Sequence, residues 1–182
     1  MSEIDTSENK GFDVSIIRPE MTLADIQNRG KGMKADRLRA VKKGLVTLNT
    51  LELMATTIYR FQISKEDTEH NRQLIAAMCN EMTHYQDFQV KLYEYGFRPS
   101  PIRWAFGIVG FMLGFCSRVL GKKAILKTGI WVETKAVGHY AELLETIDWD
   151  ADTRKVVEKN QADENGHINR WKKFLEQADI TG

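Results

Sequence analysis

Four glutamates, Glu52, Glu81, Glu133 and Glu164, and two histidines, His84 and His167, are the residues of this chain best placed to do chemistry. Two of the glutamates open the tetrapeptides Glu81-Met82-Thr83-His84 and Glu164-Asn165-Gly166-His167, so the order is Glu then Glu-x-x-His, given twice. The paired acids lie 29 residues apart (52 to 81) and 31 residues apart (133 to 164). With 14 Glu and four His in 182 residues, chance placement would produce only about 0.3 Glu-x-x-His. Two occur. On a helix, residues at i and i+3 share a face, so each carboxylate and its imidazole can reach one point.

The acids also fall in apolar stripes. At helical spacing, Glu52 is accompanied by Leu45, Leu48, Ala55, Tyr59 and Ile63, and Glu81 by Leu74, Ala77, Phe88 and Leu92. Glu133 shares its face with Leu126, Gly129, Ala136, Tyr140 and Leu144, and Glu164 with Val157, Asn160, Ile168, Trp171 and Leu175. Solvent-facing acids such as Glu66, Glu69 and Glu158 have no such company. A carboxylate buried without compensation costs several kcal/mol, of order ~5. Two imidazoles cannot neutralise four such groups, whereas two divalent cations can. The six residues are therefore candidate ligands of a two-metal centre. Oxygen and imidazole donors suit Fe or Mn better than a thiolate-seeking metal.

Positioning these residues requires four helices with inward faces, and the sequence supplies them. One is expected from about Lys34 to Ile63. A second should start near Ser64, with Ser64 and Asp67 as its capping pair, and stop at Gly96, where Pro99 and Pro101 follow. A fourth segment spans about Lys122 to Ile147, and the last runs from Asp150 or Asp152 to about Gln177. Period-two alternation is almost absent, so the fold class is all-α. Residues 1–32 read as a polar tail, in which Val14–Ile17 could dock on the body, and 33–182 as one domain.

Composition narrows the function. A net charge of +1 implies no basic field for nucleic acid. Cys79 and Cys116 are far apart and form no C-x-x-C pair, which argues against a cysteine metal centre and for a reducing compartment. Cys79 is expected to pack as a small buried apolar residue. His70, three residues after Asp67, imitates a metal pair but reads as a solvated pair at a helix start. The start of the chain lacks the form of a signal peptide.

Between the second and fourth segments lies Trp104-Ala-Phe-Gly-Ile-Val-Gly-Phe-Met-Leu-Gly-Phe-Cys116, uncharged and flanked by Arg103, Arg118, Lys122 and Lys123. It is shorter than the roughly 20 apolar residues that cross a bilayer. Two readings remain open for it: a buried crossover, or an interfacial helix on a membrane surface over residues 102–121, which could also line a passage for a hydrophobic substrate.

Arg98-Pro99-Ser100, the Gly-rich apolar segment with Leu113-Gly114, Leu120-Gly121-Lys122, Val132-Glu133 through His139-Tyr140, Glu52-x-x-Ala55-x-x-Ile58-Tyr59, and Asp163-Glu164-x-x-His167 together carry a resemblance. With them the chain resembles the demethoxyubiquinone hydroxylases, ferritin-like di-iron monooxygenases of ubiquinone biosynthesis. The resemblance covers roughly residues 45 to 175. It implies a ferritin-like four-helix bundle with an additional apolar helix between helices two and three. It implies two Fe ions, with Mn as an alternative occupant. Glu52 and His84 would sit on one ion, Glu133 and His167 on the other, and Glu81 and Glu164 would bridge. O₂ would be co-substrate, a quinone-type ring the substrate, and Tyr140 and His139 catalytic.

By phase Tyr140 lies on the face of Glu133, whereas His139 points about 120° away. The sequence carries neither a nucleotide-binding Gly fingerprint nor a cysteine cluster. Electrons are therefore expected from an external reductant such as NADH, or through the reduced quinone itself. The resemblance also implies a protein on the inner face of the cell membrane, on the cytoplasmic side, acting as a homodimer or within a quinone-biosynthesis complex. The chain departs from the family where Leu48 replaces an Asp and Gly138 replaces a His. The same ligands would also serve a rubrerythrin- or ferritin-like protein handling peroxide or iron, or survive in a non-catalytic member of such a complex.

Overall fold

A computed structural model describes residues 22–180. Five helices and one short 3₁₀ turn make up the described residues, which contain no strand: α1 (Ala35–Gln62), α2 (Glu69–Glu94), α3 (Arg103–Val119), α4 (Lys122–Thr146) and α5 (Ala151–Ile180). The expected all-α, ferritin-like bundle with an extra apolar helix is what forms. α1 packs along α2 and α4 along α5, each pair joined by a short turn. The two hairpins face each other, and α3 lies against the outside of α1.

Local chemistry explains the helix limits. α2 starts at Thr68, whose side chain accepts from the Asn71 backbone N–H at 3.1 Å. The expected cap at Ser64 is therefore displaced by four residues. The cause is Asn71, whose amide accepts from Ser64 N–H at 2.8 Å and donates to the carbonyls of Ser64 and Glu66, holding the linker out of the helix. α2 ends where Gly96 adopts φ +71°, a left-handed turn that glycine makes without strain.

Two apolar layers close the bundle. Val41, Leu45, Leu48, Phe88, Leu92, Tyr95, Ile147, Trp149 and Val157 form one around Tyr140, and Leu74, Ala77, Ile125 and Leu126 form the other around Tyr59 and Trp171. The acids lie between these layers. At the first end, the segment before α1 is fastened by Arg29, whose guanidinium reaches Glu94 at 2.8 Å, Asp150 at 2.8 Å and Asp152 at 3.2 Å. Val14–Ile17 lies outside the described residues.

α3 is not a buried crossover. Only Gly110, Gly114 and Ser117 of it are buried. A Cβ on Gly110 would stand 2.6 Å from the Met54 carbonyl oxygen, and one on Gly114 would stand 2.5 Å from that of Ile58. Glycine here lets two backbones touch. Gln62 secures the far end by donating to Ser117 Oγ at 2.9 Å. The other face leaves Trp104, Ile108, Met112, Phe115, Val119 and Leu120 exposed. Among the described residues, no helix is long and apolar enough to cross a membrane.

Two smaller expectations are corrected. Cys79 is exposed, because it lies two residues, about 200° of helix, from the inward Glu81. His70 does not pair with Asp67, which instead meets Arg72. Its ring packs edge-on against Trp171 and Phe174, 6.4 and 5.9 Å between centroids.

Candidate metal centre

Each of the four long helices presents one glutamate to the space between the hairpins. Glu52, Glu81, Glu133, Glu164 and His84 are at most 2% exposed, and His167 is 3% exposed. Glu52, Glu81, His84 and Glu164 each present a donor atom, and these atoms lie within 4.8 Å of one another, close enough for one ion to reach all four. Glu133 and His167 border the same space: His167 Nε2 is 3.4 Å from Glu81 Oε1, and Glu133 sits under Tyr59.

Whether a metal fits can be judged from the atoms without partners. Among the described residues, both oxygens of Glu81 and of Glu164, Glu133 Oε2, and Nδ1 of both histidines are buried with no hydrogen bond. His84 Nδ1 approaches Glu164 Oε1 at 2.9 Å but without hydrogen-bond alignment. Buried polar atoms in native proteins nearly always have partners. The five carboxylate oxygens and His84 Nδ1 border a common space, and a coordination sphere is the natural account of them. The opposite ring nitrogens are both held: His84 Nε2 by Asp163 at 3.1 Å and His167 Nε2 by Asn80 at 2.7 Å. With Nε2 donating, Nδ1 is the free donor on each ring, the arrangement that metal-binding histidines use.

The electrostatics of the protein alone point the same way. Burial, then the Glu133 charge, pushes Glu81 well above the usual carboxylate range. Burial, then Glu164, does the same to Glu133. Glu164 is pushed up to about 8 by burial and by Glu81. Burial and Arg170 draw His167 down to about 4. His84 moves upward: burial opposes its charge, but Asp163, Glu164, Glu52 and Glu81 outweigh that. These acids repel one another unless protons or cations intervene.

The tyrosines cross between hairpins. Tyr140 on α4 donates to Glu52 on α1 at 2.6 Å, while Tyr59 on α1 donates to Glu133 on α4. Tyr59 in turn accepts from Trp171 Nε1 at 2.9 Å. Sequence reasoning had Tyr140 on the right face but missed the roles of Asn80, Asp163, Tyr59 and Trp171. The available signal was positional, since Asn80 and Asp163 immediately precede the two Glu-x-x-His glutamates, and Tyr59 and Trp171 lie seven residues after Glu52 and Glu164.

Beside the acids is a cavity of about 260 Å³ walled by Leu51, Met54, Ala55, Trp131, Val132, Lys135, Ala136 and His139, with Glu52, Glu81, Glu133 and Glu164 at its inner side. His139 is otherwise exposed and stands on this wall, away from the acids' own face of α4.

A family model described as ubiquinone biosynthesis protein COQ7 matches residues 49–177, which includes all six candidate ligands and α3. The chain belongs to that family. It is also similar to the NADPH-dependent 3-demethoxyubiquinone 3-hydroxylase, mitochondrial, of Dictyostelium discoideum, with 28% identity over 123 residues. That match takes in 65% of this chain and 57% of the relative, so the chain spans a little over half of the relative's length. Membership of the ubiquinone-biosynthesis family accounts for what the geometry presents, acids and imidazoles bordering a space lined by apolar side chains.

Proposed function

We propose that this chain is a di-iron, O₂-dependent monooxygenase that hydroxylates a quinone-type ring in ubiquinone biosynthesis. The observation that carries this reading is the set of five unpartnered carboxylate oxygens on Glu81, Glu133 and Glu164, residues that line an apolar cavity. Glu52 and His84 would hold one ion and Glu133 and His167 the other, with Glu81 and Glu164 between them. When bound, the irons supply the activation of O₂ beside the cavity.

The chain's own residues do the rest. Leu51, Met54, Ala55, Val132 and Ala136 exclude water and accept an apolar ring. Tyr140 and Tyr59 orient Glu52 and Glu133 by hydrogen bonds. His139, on the cavity wall, is placed to exchange protons with a bound ring's oxygen substituents. The exposed apolar face of α3, with Arg103, Arg118 and Lys122 around it, suits a membrane surface. Since Met54 both lines the cavity and backs Gly110, a quinone could enter from that side. A reduced nicotinamide cofactor is the reductant class that the relative's name suggests.

The quinones of cells lacking the protein test the proposal. A demethoxy intermediate should accumulate and disappear when the wild-type gene is restored, but not when Glu81→Ala is supplied. An unchanged quinone profile refutes it. Anaerobic iron loading of the purified protein should give two irons per chain.

A further inference from the structure

The two halves of the candidate centre are related by an approximate two-fold, and the chemistry behind them is unequal. Asn80 precedes Glu81 and holds His167 across the bundle, whereas Asp163 precedes Glu164 and holds His84. One imidazole is thus hydrogen-bonded by a neutral amide, with Glu81 Oε1 further off at 3.4 Å, and the other by a carboxylate that Asn80 itself also hydrogen-bonds. The same inequality recurs one layer away. Phe88 and Trp171 occupy equivalent places seven residues after Glu81 and Glu164, against Tyr140 and Tyr59, with ring centroids 5.9 and 5.8 Å apart. Phe88 offers no donor. Trp171 gives its N–H to the Tyr59 oxygen, which leaves the Tyr59 hydrogen committed to Glu133.

Both differences act in one direction. A carboxylate accepting from Nε2–H pushes electron density toward Nδ1 and makes His84 the stronger donor. A neutral amide does this less for His167. A phenol polarised by an indole N–H draws more density from Glu133 than Tyr140 draws from Glu52. Room for the indole is itself built in, since a Cβ on Gly129 would stand 3.0 Å from Trp171 Cδ1.

We infer that the two metal positions are non-equivalent by construction: the Glu52/His84 position binds its ion first and more tightly, and Asp163 and Asn80 are the positioning residues that set the order. This rests on the di-metal reading above and goes beyond it. Exchange of Asp163 and Asn80 should therefore exchange the order of filling.

The test is anaerobic titration of the metal-free protein with Co²⁺ and with Fe²⁺, followed by absorption and calorimetry. The wild type should bind two ions in separate steps. His84→Ala should abolish the tight step and His167→Ala only the weaker one. Outer partners of metal-bound histidines typically change affinity by 10–100-fold, so Asp163→Asn should weaken the tight step by about tenfold or more. Asn80→Asp should strengthen the weak step by a similar factor, a gain that general damage to the fold cannot produce. The double exchange should make the His167 position fill first. Two ions bound in indistinguishable steps would overturn the inference, as would single variants that shift both steps alike. Binding of no metal at all would instead refute the di-metal reading on which it rests.

Discussion

Tyr59 on α1 donates its hydroxyl hydrogen to Glu133 on α4, and Tyr140, two turns beyond Glu133, returns the same bond to Glu52. The two hairpins are thus tied through the very acids that face the candidate centre. Removing either hydroxyl strands a buried oxygen, and Tyr59→Phe strands the Trp171 N–H as well. Each such group costs about 1–3 kcal/mol. Denaturant unfolding should show Tyr59→Phe to be the more destabilising of the two, by about 1 kcal/mol or more. Equal effects would contradict the three-member chain Trp171–Tyr59–Glu133.

The acid cluster should be a source of instability when no cation is present. Glu164→Gln removes one of four mutually repelling carboxyls without changing shape, and functional sites commonly carry such a cost. The metal-free variant is expected to melt several degrees above the metal-free wild type at pH 8. With iron supplied the order should reverse, because the variant has lost a ligand. Thermal scans with and without a chelator decide it.

The pH dependence follows from the same groups. Glu164 titrates near 8 in the fold against an ordinary value of 4.5, so over that interval the unfolded chain has lost a proton that the folded chain keeps. Stability from this group is complete below 4.5 and is lost as the pH rises through 8; Glu81 and Glu133, also raised, add to the effect. His167 acts oppositely, its stability present above 6.5 and lost as the pH falls through about 4. Metal-free protein should therefore lose stability between about pH 4.5 and 8, most steeply above 6.5, where His167 no longer offsets the loss. Binding of metal at neutral pH should release protons, visible as a buffer-dependent heat in calorimetry. A binding heat independent of buffer would show that the acids were already ionised.

The α3 helix offers a separation of docking from surface function. Gly114→Val places atoms where the Ile58 carbonyl stands, and overpacking of this kind costs about 1–3 kcal/mol. Replacing exposed Trp104 and Phe115 by Ser should leave unfolding almost unchanged while reducing sedimentation with liposomes containing anionic lipid, since the apolar face would then bury less area in the headgroup region. If the double variant sediments like the wild type, the outward face of α3 does not bind membranes.

Arg29 can be examined independently. Its side chain is 10% exposed where it meets Glu94, Asp150 and Asp152, and the Glu94 side chain is itself 2% exposed. Arg29→Met should cost about 3 kcal/mol, the usual effect of breaking a buried ion pair, although Lys91 still compensates Glu94 at 2.8 Å. Activity per folded molecule should be unaffected, because the network lies at the end of the bundle away from the cavity.

Local information sufficed for much of this protein. Helical periodicity is a property of neighbours three and four residues apart, so the stripes holding Glu52, Glu81, Glu133 and Glu164 were legible, as were the stop at Gly96 and the all-α class. Buried charge has so high a cost that its presence in those stripes already implied a compensating cation. Partners across the bundle were another matter. That Asn80 holds His167, that Asp163 holds His84, and that Trp171 reaches Tyr59 depend on how two hairpins separated by α3 dock, and no local period encodes that. The same holds for α3, whose apolar sequence suits a buried or an exposed helix equally. Its contact with α1 through Gly110 and Gly114 uses up the only narrow face it has, and the broad hydrophobic face is left outside.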